Sequence, residues 1–151
     1  MKTDTDFMEL ALDAAREAAA AGEVPIGAVV ARADEVVAVA RNRVEEKHSV
    51  SAHAEFEAIR AVEAATGDWR MSDCTIYVTK EPCPMCAGML VNARIRRIVF
   101  GAPDAANGGC GGAVDLAALP GALWHPEVTG GVLAADSLRL LQRFFRDRRK
   151  K

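Results

Sequence analysis

Apolar residues recur at helical spacing through residues 6–21, where Phe7, Leu10, Ala11, Ala14 and Ala18 share a face and Gly22 ends the run. The period then changes. VPIGAVVAR reads as a strand, and EVVAVARN as its partner across a short turn at Ala33 and Asp34, so a hairpin is expected. AHAEFEAIRAVEAA returns to helical spacing, with Phe56, Ile59 and Ala64 on its expected buried side and Gly67 closing it. CTIYVT is a compact, β-branched strand that runs into Pro82 and Pro84. Pro84 suits the first turn of a helix, where its missing N–H costs nothing, and that helix continues through MCAGMLVNARI. RRIVFGA is another strand, PDAANGGCGGAVDL a glycine-rich loop, and HPEV a short strand. LAADSLRLLQRFFRDRR forms the last helix, with Leu138, Leu141, Phe144 and Phe145 as its apolar stripe. Two strands followed by alternating helices and strands predict an α/β layer, with helices on both faces of a mixed sheet.

The 151 residues fit one domain spanning residues 1–151. A chain of this length buries roughly 68–70% of its unfolded surface and needs no disulfide staples. Aromatics make up only 5%, so Ala, Val, Leu and Ile must fill the core. The opening MKTDTDFMEL lacks an apolar signal region, and no stretch reaches the ~18 apolar residues of a membrane span. Four cysteines without a secretion signal point to a reducing compartment, here the cytoplasm. A net charge of −2 gives no global pull toward nucleic acid. Its distribution is less neutral: Arg139, Arg143, Arg146, Arg148, Arg149, Lys150 and Lys151 face one acid, Asp147, at the end of the chain. Arg94, Arg96 and Arg97 form a second cluster. These are either solvated charged ends or a strip that meets phosphates.

Cys83 and Cys86 stand at i and i+3, so a helix brings both sulfurs to one side. At a helix N-terminus the exposed N–H groups and the dipole stabilise thiolates. That geometry suits a redox pair as well as two metal ligands. A structural Cys₄ zinc site would need Cys74 and Cys110, whose spacings do not form a second CxxC. Cys74 fits better as a small buried strand residue, and Cys110 has no evident role.

His53 changes the weighting. With Cys83 and Cys86 it completes three ligands, which leave a fourth tetrahedral position open to water, the mark of catalytic zinc. Two thiolates cancel the dication's charge, so the water still needs a base, and Glu55 can supply it. Residues two apart on a helix point roughly 200° from each other. His53 and Glu55 can therefore share a site only from the first helical turn or just before it.

The pattern H-x-E…P-C-x-x-C is the signature of zinc nucleobase deaminases. VPIGAVV, Asn42-Arg43, AHAE, YVTKEPCPMCAG, ARIRRIVFGA, GVL and LLQRFFRDRR together resemble the bacterial tRNA-specific adenosine deaminase family in order and spacing, over nearly the whole chain. The resemblance implies a three-layer α/β/α, cytidine-deaminase-like fold with a five-stranded mixed sheet, and a homodimer without a separate protein cofactor subunit. It implies one zinc per chain on His53, Cys83 and Cys86, with Glu55 as the proton shuttle. The implied reaction is hydrolysis of adenosine to inosine at the wobble position of a tRNA anticodon loop. A free-base or nucleoside deaminase acting on guanine or cytosine through the same centre is the alternative.

Asn42 and the Ala54 backbone N–H match the positions that touch the base, and Glu81 is expected to position its loop rather than to catalyse. Lys80, Arg94, Arg97, Arg146, Arg148 and Arg149 are candidate phosphate contacts. The chain departs from the family pattern at Ser49 and Val50, where Asp-Pro is usual. It departs again at Lys80, where a hydrophobic residue is common, and at Pro103, Asp104, Ala105 and Ala106, where basic residues often stand.

Overall fold

The structure, a computed structural model, describes residues 1–149; Lys150 and Lys151 of the basic tail lie outside the described residues. Helix α1 spans Asp4–Ala20. It begins two residues earlier than the apolar pattern alone predicts, because Thr3 and Asp6 form a reciprocal capping box that satisfies two N-terminal N–H groups. Strands β1 (Gly27–Arg32) and β2 (Glu35–Arg41) form the expected antiparallel hairpin, with Ala33 at φ 53° in the turn. A four-residue helix, α2 (Val44–Lys47), follows. Then come α3 (Ala54–Thr66), β3 (Cys74–Lys80), α4 (Pro84–Asn92), β4 (Arg97–Ala102), β5 (Glu127–Thr129) and α5 (Ala134–Arg149).

The five strands lie in the order β2-β1-β3-β4-β5. β1 runs antiparallel to β2 and β3, whereas β3–β4 and β4–β5 are parallel, so the sheet is mixed as the element order predicts. Strand alternation divides the core in two. Ala28, Val30, Ile76, Val78, Ile98 and Phe100 face α3 and α4, where Ala58, Val62 and Leu90 are packed. Val29, Ala31, Tyr77 and Val99 face the other way, toward Phe7, Met8 and Ala11 of α1 and, near α5, Val132 and Leu133. Small side chains let the layers approach closely. A Cβ at Gly27 would collide with the Ala11 carbonyl oxygen, so only glycine admits α1 at that height.

Two helix faces differ from the apolar pattern. On α3 the buried side is Ala54, Glu55, Ala58, Ile59 and Val62, while Ala64 is exposed and Phe56 half-buried. Two carboxylates, Glu55 and Glu57, are buried on this helix, and a hydropathy pattern places such residues outside. On α5, Ser137 and Leu141 point inward and Leu138 and Phe145 stay exposed. The Ser137 hydroxyl donates to the Thr79 carbonyl of β3 and sets the helix's rotation.

Candidate active site

The site forms where two helices begin. His53 is the N-cap of α3 and Cys83 the N-cap of α4, both with extended backbone and neither side chain capping its own helix. A residue at this position is ordinarily Ser, Thr, Asp or Asn, whose side chain bonds an N–H of the first turn. Here both side chains turn instead toward each other. His53 Nδ1 lies 3.4 Å from Cys86 Sγ and 3.8 Å from Cys83 Sγ. The three donor atoms sit within 4.8 Å of one another, and among the described residues no fourth His, Cys, Asp or Glu donor joins them.

His53 precedes the helix and Glu55 lies in its first turn, so the divergence of residues two apart does not apply. Glu55 is buried. Its burial pushes the carboxyl pKa above the ordinary carboxylate range, opposed by its own backbone N–H and by His53. The Cys83 thiol is lowered to about 4, chiefly because Cys86 donates a hydrogen bond to it, with His53 contributing. Cys86, as that donor and as a buried group, is pushed up. The His53 imidazole is raised by its bond with Cys83 against the effect of burial.

The donor set fits a tetrahedral metal. Zinc bonds of about 2.3 Å to sulfur and about 2.0 Å to nitrogen separate the two donors by about 3.5 Å, and the observed nitrogen–sulfur separations fall on either side of that value. Cys74 and Cys110 stand apart. Cys74 is buried at the start of β3, the opposite end of the strand from Cys83. The buried Cys110 thiol is pushed up to about 12, mostly by desolvation.

Asn42 and Ala54 are adjacent. Asn42 is buried, and its Oδ1 accepts the Ala54 N–H at 3.2 Å. Asn42 thus caps α3 in place of His53, bonding the residue that lies between His53 and Glu55. Two buried carboxylates hold the surrounding loops. Glu23 accepts the N–H groups of Glu45 and Glu46 at 3.1 and 2.7 Å, which orders α2 just after Asn42. Glu81 accepts from Asp104, Cys110 and Gly112 of the glycine-rich loop. Sequence reasoning passed over Glu23. The only signal was an acid immediately before a strand, and its partners lie more than twenty residues away.

The candidate phosphate contacts separate. Arg97 is engaged by Asp4, through two bonds of 2.8 Å, and by Thr129. Arg97 pairs with Thr75, whereas Lys80, beside the site, pairs with Ala102, so Arg97 lies at the far end of the sheet. Arg94 stands over the Trp69 ring. Lys80 is paired with Asp104 at 3.0 Å, so two departures from the family pattern neutralise each other. Arg146, Arg148 and Arg149 remain exposed on α5.

Comparison with known proteins agrees with this geometry. The MafB19-like deaminase family model matches residues 2–149. The tRNA-specific adenosine deaminase of Agrobacterium fabrum is 42% identical over 149 residues, covering 99% of this chain and 98% of that protein. The chain belongs to the tRNA-specific adenosine deaminase family. A solved member, from work on A-to-I editing by tRNA:A34 deaminases at the wobble position of transfer RNA, superposes with a TM-score of 0.88 at 42% identity. The match covers 91% of this chain and 99% of that one. The family's fold, a mixed five-stranded sheet with helices on both faces, is the one described above. The tRNA(Ile)-lysidine synthase of Deinococcus radiodurans is 45% identical over 142 residues, but this chain spans only 24% of that protein.

Proposed function

We propose that this enzyme hydrolyses adenosine to inosine, with release of ammonia, at the wobble position of a tRNA anticodon, and that one deaminase domain spans the chain. The observation that carries the reading is the convergence of His53, Cys83 and Cys86 at two helix N-termini beside the buried Glu55. Full-length relatives at 42% identity support the substrate. His53 Nδ1 and the two sulfurs hold one zinc ion per chain. When bound there, zinc supplies the Lewis acidity that makes water a competent nucleophile near neutral pH.

Glu55 carries the protons. Its carboxylate accepts one proton from the water that attacks C6 and delivers it to a ring nitrogen. It then takes the remaining proton of that oxygen, now a hydroxyl on C6, and passes it to the amine, which leaves as ammonia as the C6 carbonyl forms. A carboxyl whose pKa burial has raised holds that proton between the two transfers more readily than an ordinary one. Asn42 presents its amide to the base, and the Ala54 N–H lies next to it. An anticodon loop offers an unpaired adenosine, so turning the base into the site costs little.

The basic end of α5 supports an RNA substrate. Arg143, Phe144 and Arg148 line a cleft of about 900 Å³ with Ala19, Ala20 and Gly22 at the end of α1. The chain continues from there into β1, which starts opposite the end of β3 that leads to the site. The chain is a homodimer in this reading, joined through the apolar surface of Trp69, Val91, Leu116, Leu119, Leu123 and Trp124. No separate protein subunit is required. No helix among the described residues is long and apolar enough to cross a membrane, and the cytoplasm, where tRNA is found, is the proposed compartment.

The test offers the zinc-loaded enzyme an anticodon stem-loop with a wobble adenosine, alongside free adenosine, guanine and cytosine. Inosine in the stem-loop, with no comparable turnover of the free compounds, is expected. Faster deamination of guanine or cytosine than of the RNA would overturn the substrate.

A further inference from the structure

The loop of residues 103–112 has no repeating structure of its own, yet it is packed against the cysteine turn. Its order comes from one side chain. Glu81 is 4% exposed, and its carboxylate accepts three backbone N–H groups. Oε1 bonds Asp104 at 2.9 Å, and Oε2 bonds Cys110 at 3.0 Å and Gly112 at 2.9 Å. Two glycines make room for it: a Cβ at Gly108 would collide with the carboxylate, and one at Gly112 with the Asp104 carbonyl.

The loop then reaches the cysteines. Gly109 donates its N–H to the Pro82 carbonyl at 2.7 Å. A Cβ there would lie 2.8 Å from Ala87 Cβ and 2.9 Å from the Cys83 carbonyl carbon and oxygen. Gly109 backbone therefore rests directly on the turn that presents Cys83. Lys80 pairs with Asp104 and closes the loop's near end.

The geometry points to Glu81 as a positioning residue for the metal site: its carboxylate fixes the 103–112 loop, and the loop holds the Pro82–Cys83 backbone in place. This rests on the metal reading of His53, Cys83 and Cys86. Glu81 touches neither a ligand atom nor the substrate's reacting atoms. It acts through the loop, so its removal loosens one ligand of three. Glu81→Gln keeps the volume but turns an NH₂ donor toward N–H groups that need acceptors.

The experiment measures zinc loss from the purified, zinc-loaded protein to an excess of chelator, well below the melting temperature of every variant. Ser137→Ala, which removes a buried bond from α5 to the Thr79 carbonyl of β3 without touching the Glu81 carboxylate or its three N–H partners, controls for general destabilisation. Zinc loss about tenfold faster in Glu81→Gln than in Ser137→Ala is expected, the lower end of what residues supporting metal ligands usually contribute. Equal rates in the two variants would overturn the proposal.

A second measurement needs no variant and decides alone if Glu81→Gln does not fold. Coupling is reciprocal, so stripping zinc from the wild-type protein must weaken hydrogen-exchange protection at the Gly109, Cys110 and Gly112 amides. A wild type that binds zinc but shows no change at these amides would overturn the role of Glu81 alone. A wild type that binds no zinc would overturn this role and the proposed function together.

Discussion

Glu55 sits one residue past the N1 position of α3, and its burial, the largest influence on its carboxyl, favours holding a proton. It is buried, its pKa is raised by that burial, and it is outside the His53–Cys83–Cys86 donor set. A group that moves protons without binding the metal can be removed without losing the metal. Glu55→Ala is expected to retain one zinc per chain and to lose deamination by a factor of about 10² or more, the usual contribution of a general acid–base residue. Metal analysis and turnover on the stem-loop check this together. Substantial residual turnover would take Glu55 out of the mechanism, and loss of zinc would make it a ligand. The residue types and their match to a known signature nominated His53, Glu55, Cys83 and Cys86 from the sequence, and the structure brings the His53, Cys83 and Cys86 donors within 4.8 Å of one another and buries Glu55. Asn42 was legible only through resemblance. Its capping of Ala54 is a contact across twelve residues that no local pattern displays.

At the scale of elements, periodicity showed both long helices of the α1 layer and the four longer strands. It failed where order comes from distant partners. α2 has only four residues and no apolar face; the Glu23 carboxylate and the Lys47–Glu57 ion pair hold it. The glycine-rich loop read as irregular because its organising group, Glu81, is more than twenty residues away. α5 was placed correctly but rotated, because a buried serine, Ser137, faces inward where the pattern expected Leu138.

The docking of α1 carries its own prediction. Asp4 receives two hydrogen bonds from Arg97 and one from the Tyr77 hydroxyl, linking the helix start to β3 and β4. The bonds from Arg97 are the main cause that lowers the Asp4 carboxyl below its ordinary 3.8. A lowered folded-state pKa stabilises above the unfolded value, and that contribution is lost as pH falls through the folded value. Wild-type stability should therefore drop more steeply than that of Asp4→Asn as pH is taken below about 4, as read by denaturant midpoints. Parallel acid slopes in the two proteins would show that the pair does not couple to folding.

For the whole molecule, the two faces of the sheet divide the labour. The starts of α3 and α4 present the candidate metal donors His53, Cys83 and Cys86 from one face, while α1 and α5 close the other and form the cleft lined by Arg143 and Arg148. Beyond α4 lies an apolar surface on which Leu123 is 91% exposed, Leu119 48% and Trp69 45%. Contiguous apolar surface of this kind is the mark of an association site. Analytical ultracentrifugation should give twice the chain mass for the wild type, and a single chain mass for Leu119→Glu combined with Leu123→Glu. A monomeric wild type would contradict the assembly. The metal centre itself is tested most directly by zinc-edge X-ray absorption on the purified protein. The expected result is two sulfurs at about 2.3 Å with one nitrogen and one oxygen at about 2.0–2.1 Å. A third sulfur or a second nitrogen in place of the oxygen, or no zinc at all, would contradict it.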